Sequence, residues 1–380
     1  MKRLIKLLSE LKEKGLLSDF SKKHLLIRAL NDDFDFFDKY KEFKKNSFFQ
    51  YETCHKVSTF LINFSVQLEI FSKYLETKDF YDFIQNQLSA GKNNYDENQF
   101  LRAVSEVNVL NYLFQYTGLE NKVKYEPNLN GNGKNPEARI ITKDGTIFDI
   151  EVKTPGFAKK IELDDKKYLL KPNTILNKIQ KEKLQEYCDK YKIKLMFPRV
   201  LKLKEFIKNA VSKFETPTSK KHYNILVINW TYTEFYDLKL REPINLLVNP
   251  INGILNLNDT ISQLDITRSE IEKLSAIIVY QDNIDTIISQ DFCFHIANNS
   301  VTVIGNEKYN KLHDYEDLYK KLRLNTVDRN SFKTKWNPSD YAIKEGISTQ
   351  TIDNAQLYFN NLIMDEQKDE IILSSKTERF

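Results

Sequence analysis

Through the first 90 or so residues, apolar positions recur every three or four places, as in Leu4, Leu7, Leu8 and Leu11 and again in Phe60, Leu61, Phe64, Leu68 and Phe71. That period predicts helices. It continues through 98–116, where Phe100, Ala103, Val104, Val107, Leu110, Leu113 and Phe114 mark an amphipathic helix. The pattern then changes. Residues 122–127 (KVKYEP) read as a first core strand, and 137–141 and 146–152 as the two arms of a β-hairpin turning at Lys143, Asp144 and Gly145. Two short apolar runs rich in Val and Ile, 223–230 and 275–280, read as buried strands. Helices are predicted ahead of the first run at 174–190 and 200–214, with another between the runs from near Thr267, where Thr267, Arg268, Ser269 and Glu270 form a capping-box pattern. Strands separated by helices need crossover connections, so the expected architecture is α/β, a mixed sheet flanked by helices. Residues 241–266 and 291–305 read as insertions or a closing hairpin, and further helices are expected at 309–324 and 351–364. The polar stretch 89–99 marks a boundary, giving a helical N-terminal domain at 1–92, a core at 93–305 and a C-terminal helical extension and tail at 306–380.

The second arm of the hairpin carries the candidate chemistry. Side chains alternate across a strand, which places Phe148, Ile150 and Val152 on one face and Asp149, Glu151 and Lys153 on the other. The turn returns that charged face to Glu137 on the first arm. Two carboxylates and an ammonium in a small volume suit phosphodiester hydrolysis. Oxygen ligands hold a magnesium ion against a phosphate, and a lysine offsets charge or helps to deprotonate the attacking water.

Pro136-Glu137, followed after thirteen residues by Glu151-Val152-Lys153, resembles the signature of the PD-(D/E)XK nucleases, with the resemblance running from about Glu106 to Tyr280. The chain departs from the pattern at its first acid, which is usually aspartate. The resemblance implies a restriction-endonuclease-like core in which Glu137 and Glu151 ligate Mg2+, with Mn2+ as a substitute, and Lys153 acts beside them. It also implies a third ligand, Glu106, from the preceding helix. A glutamine or lysine from the helix at 174–190, such as Lys178, Gln180 or Gln185, would face the site, and Asp149 is an auxiliary candidate. The implied activity is a DNA endonuclease of restriction or anti-phage defence, the choice between DNA and RNA being left open by the sequence, with a homodimer as the assembly that a two-strand cut favours. The alternative is a nuclease fold without turnover that binds nucleic acid or a partner protein.

Charge and composition refine this picture. The net charge of +4 is small, but nine lysines fall in 153–183 against Glu162, Asp164, Asp165 and Glu182. Lys159, Lys160, Lys171 and Lys178 are therefore candidates for phosphate contacts without sequence preference. Arg329, Lys333, Lys335 and Trp336 form a second basic and aromatic group that would suit nucleic acid. No apolar run approaches the roughly 20 residues of a membrane span, the segment MKRLIKLLSELKEKG reads as a cytoplasmic helix, and the widely spaced Cys54, Cys188 and Cys293 give neither a zinc pattern nor a disulfide framework. A reducing compartment fits. The acidic patch Asp32, Asp33, Asp35, Asp38 lacks the glycine of a calcium loop and has Lys44 where its last glutamate should be. Gly131, Gly133 and Lys134 lack phosphate-loop spacing. His222, His295 and His313 read as isolated structural residues.

Overall fold

The computed structural model describes residues 9, 10, 13, 14, 64, 66–88, 97–116, 122–129, 131, 133–155, 168–172, 174–231, 240–249, 252–256, 258–282, 301–327, 339–343, 354, 355 and 357–362. The readings at Asp32–Asp38, Cys54, Lys159, Lys160, Cys293, His295 and Arg329–Trp336 lie outside these. The chain divides into two compact units, each discontinuous in sequence. The first comprises Met1–Lys159, Phe206–Phe235 and Arg268–Val327, and the second Lys160–Glu205, Tyr236–Thr267 and Asp328–Phe380.

The first unit is built on a seven-stranded mixed sheet of order β1-β2-β3-β6-β7-β8-β9. Strands β1 (Lys122–Tyr125), β2 (Ala138–Ile141) and β3 (Ile147–Lys153) form an antiparallel meander. Strands β6 (His222–Asn229) and β7 (Ala276–Tyr280) then run parallel to β3. Every residue of β6 and β7 is buried, as expected of parallel strands covered on both faces. The β2–β3 turn closes with hydrogen bonds from Thr142 N–H to Thr146 O and from Gly145 N–H to Thr142 O. Gly145 has φ 77°, a left-handed conformation that glycine adopts without a Cβ penalty.

Helix α1 (Thr77–Asp82) and the wider turn Phe83–Gln87 precede helix α2 (Glu97–Tyr116). All seven apolar positions named for α2 are buried, in one core with Phe148, Ile150, Ile225, Val227 and Ile278 of the sheet. Its polar side is buried too, which an amphipathic reading did not anticipate. Ser105, Glu106, Asn108 and Asn111 are all at most 9% exposed. Asn111 donates to Gln67, Asn229 donates to Ser105, and Glu106 accepts from Tyr125. Phe64, Leu68, Phe71, Phe80, Phe83 and Ile84 join the same core, so these described residues of 1–92 are part of the first unit. The same holds beyond residue 305. Strand β8 (Thr302–Gly305) pairs with β7, β9 (Asn325–Thr326) with β8, and Leu318 and Leu322 of helix α8 (Tyr315–Leu322) enter the core.

The second unit holds a three-stranded sheet of order β10-β4-β5, formed by Ser339–Ile343, Tyr168–Pro172 and Ile193–Leu195. Its helices are α3 (Lys178–Lys190), α5 (Arg241–Val248) and α6 (Asn258–Gln263). The stretch read as an insertion at 241–266 thus contributes two helices here. Leu170, Leu184, Cys188, Ile193, Ala355 and Phe359 form its core. Helix α4 (Val200–Lys213) belongs to the first unit from Phe206 onward, and the single turn α7 (Arg268–Ile271) precedes β7. Among the described residues no helix is long and apolar enough to cross a membrane.

His313 is not isolated. Its Nε2 lies 2.8 Å from Ser275 Oγ, and its ring packs beside Tyr223. Burial lowers the imidazole from its ordinary 6.5 to about 4. Across that window the unfolded chain binds the extra proton, so stability falls on acidification. The full shift corresponds to roughly 3 kcal/mol. Melts from pH 7 down to pH 4 should therefore show a shallower loss for His313→Gln than for the wild type. Superimposable slopes would contradict this assignment.

Candidate functional site

The register Ala138↔Ile150 and Arg139↔Asp149 continues one step to bring Glu137 across from Glu151. The Glu137 carbonyl accepts a 2.9 Å hydrogen bond from the N–H of Glu126, which leaves β1 with φ 41°. This fastens the end of β1 to the start of β2. Helix α2 brings Glu106 to the same place, where Tyr125 of β1 donates to it at 2.9 Å. Glu106, Glu137, Glu151 and Lys153 therefore lie close together.

A fifth residue was not expected. Lys213, in the last turn of α4, places its Nζ 2.7 Å from Glu151 Oε1 and 3.7 Å from Glu137 Oε1. The Nζ of Lys153 is 2.5 Å from the same Glu151 oxygen. Glu151 is fully buried, and its Oε2 meets no hydrogen-bond donor among the described residues. Burial pushes the Glu106 carboxyl up to about 7. The hydrogen bond from Tyr125 opposes that rise, while Glu126 and Glu151 add to it. Burial, then Glu106 and Glu151, raise the Glu137 carboxyl well above the carboxylate range against the pull of Lys213 and Lys153. Burial would lower the Lys213 ammonium, but Glu137 and Glu151 raise it overall. Glu126 is raised by burial and is opposed by Lys213. The site thus concentrates more acid than its two lysines neutralise.

Such a donor set fits a hard divalent cation. Carboxylates crowded into a low dielectric hold protons until a cation relieves them, and metal binding then releases those protons. An oxygen with no donor is where a further positive ligand gains most.

Asp149 shares the face of Glu151 but is already engaged. Arg139 donates to both of its oxygens at 2.6 and 2.7 Å, and His222 Nε2 lies 2.8 Å away. Arg139 also donates to Glu215 at 2.6 Å. Burial alone would raise the Asp149 carboxyl, but the bonds to Arg139 and His222 hold it below its ordinary value. Asp149, Glu215 and His222 stand close enough together to ligate a metal. A guanidinium already fills the space between the two carboxylates, so the group reads as an ion-pair network, and His222 is a member of it.

Lys171 is not a phosphate contact: it is 1% exposed and bound at 2.7 Å to the equally buried Glu242, with Arg199 3.7 Å from the same oxygen. Lys178 is exposed, beside Glu182 at 3.9 Å, and remains available to an anion. Gln180 is buried in the capping box of α3, where its side chain accepts from Asn177 N–H and its own N–H donates to the Asn177 side chain. Gln185 bonds Asp189 along the exposed face of α3. Within the first unit, the helical side chain that meets the acids is Lys213 of α4. In sequence Lys213 looks like an ordinary basic residue favouring a helix C-terminus. Its one distinguishing signal is position, at the end of the helix leading into the strand that pairs with β3. No protein-family model, no curated protein and no solved structure matches the chain.

Proposed function

We propose that the first unit is the core of a magnesium-dependent endonuclease of the PD-(D/E)XK kind, hydrolysing phosphodiester bonds in DNA. One observation carries this reading: a helix and two adjacent strands bring Glu106, Glu137 and Lys153 to the buried Glu151 carboxylate, one of whose oxygens has no hydrogen-bond partner among the described residues. The order of helix α2, antiparallel β1-β2-β3 and parallel β6 and β7 agrees with the core that the motif implies.

Glu106, Glu137 and Glu151 would hold Mg2+, or Mn2+ in its place. Bound there, such an ion polarises a phosphate oxygen and lowers the pKa of a ligated water. Lys153, anchored on Glu151, presents an ammonium where charge on the phosphate grows during attack. Tyr125 fixes the orientation of Glu106 through its hydroxyl. Restriction or defence is the role that fold analogy favours.

Purified protein incubated with supercoiled plasmid, with linear single- and double-stranded DNA, and with RNA, in Mg2+, Mn2+ or EDTA, tests the reading. DNA should be cut only with a metal present. Lys153→Ala should leave it intact while melting like the wild type. Folded wild-type protein that cuts nothing under any of these conditions would overturn the assignment in favour of a binding module.

A further inference from the structure

Two ammonium groups converge on one oxygen of Glu151, which is one more than a single lysine beside the phosphate requires. Lys153 is the lysine of the motif. Lys213 bridges outward, contacting Glu137 as well as Glu151 and being drawn further by Glu126. The backbone that delivers it is fixed, because Phe206, Ile207, Ala210, Val211 and Phe214 are all buried. The side chain is long, flexible and 17% exposed, so it can leave its partners without disturbing α4.

An ammonium and a divalent cation seek the same hard oxygens. Their contact distances differ, at roughly 2.7–2.9 Å for the ammonium and about 2.1 Å for Mg2+. Two cations cannot share the gap between Glu137 and Glu151. We infer that Lys213 is a built-in counter-ion that competes with the divalent metal for Glu137 and Glu151, so that the site loads metal only as the ammonium swings away. The inference rests on the nuclease reading of this site. It gives Lys213 two tasks: it holds the acidic group together before metal arrives, and it keeps metal affinity low until a phosphate backbone offers the ammonium another anion. Metal and DNA then bind cooperatively, each easing the entry of the other.

Mn2+ titration without DNA, read by calorimetry or by loss of the free-ion spin-resonance signal, tests this on the wild type, Lys213→Met, Lys213→Gln, Lys213→Arg and Glu137→Gln. Removal of the ammonium should tighten Mn2+ binding by roughly tenfold or more, within the range usual for coupled binding. Lys213→Arg should stay near the wild type. In EDTA the Met and Gln variants should melt below the wild type, and Mn2+ should raise their melting temperatures by more. Unchanged or weaker Mn2+ affinity in folded Lys213→Met and Lys213→Gln, with wild-type binding still abolished by Glu137→Gln, would overturn the competition and leave the nuclease reading standing. Absence of Mn2+ binding in the wild type and both variants would overturn both.

Discussion

Glu151→Gln is expected to lower the cleavage rate by at least about a thousandfold, or some 4 kcal/mol of transition-state stabilisation, while shifting the melting temperature by only a few degrees. The two effects separate because of how the site is charged. Glu151 anchors Lys153 and Lys213 on Oε1, and under the proposed function its Oε2 would face the metal, so its loss would remove a ligand and unfasten the lysine that would face the phosphate. The fold loses less. Removing a buried partner normally costs several kcal/mol because it strands the opposite charge, yet here Glu106, Glu126 and Glu137 remain beside the two ammonium groups. Their mutual repulsion also relaxes once Glu151 is neutral. Single-turnover cleavage at saturating Mg2+, alongside a thermal melt, measures both. A variant that cuts within tenfold of the wild type would show that Glu151 is not a ligand.

Arg139→Met should show the opposite pattern, a large loss of stability whose cause is the fold. Asp149 is fully buried, and its charge is balanced chiefly by the paired hydrogen bonds from Arg139. Without the guanidinium, Asp149 and Glu215 face each other with only His222 between them. The expected cost is about 3–5 kcal/mol, the usual penalty for stranding a buried charge, or roughly 10 °C in melting temperature. Adding Asp149→Asn should recover part of it. Chelators should not move the wild-type melt through this group. A Zn2+- or Mg2+-dependent rise in melting temperature that vanishes in His222→Ala would instead make Asp149, Glu215 and His222 a metal site.

The sequence made the hairpin readable because both of its signals are local: a period of two and a turn with glycine at the left-handed position. Strands β6 and β7 were readable because their burial on both faces produces unbroken apolar runs. Even the fate of Asp149 was within reach, since the hairpin register sets Arg139 directly opposite it. Burial of the polar side of α2 was not, because it depends on Gln67, Tyr125 and Asn229, which the fold brings from separate segments. Lys171 and Glu242 lie 71 residues apart, and a lysine in a lysine-rich stretch reads as solvated unless that distant partner is known. Lys213 was hidden in the same way among the other basic residues of its helix.

The pairing of β3 with β6 also bears on how the chain is made. Ile147 lies beside His222 in the register, and every interior residue of β3 is buried in the finished protein. During synthesis β3 emerges with its antiparallel neighbour β2, but its other edge waits about 75 residues for β6. At the usual ribosomal pace that is roughly 4–15 s. For that interval a strand with an apolar face and an unsatisfied edge stands open to other nascent chains. The half-made hairpin is therefore the species on which a chaperone would act, and slower translation between residues 153 and 222 should lower the soluble yield more than the same delay placed after β7.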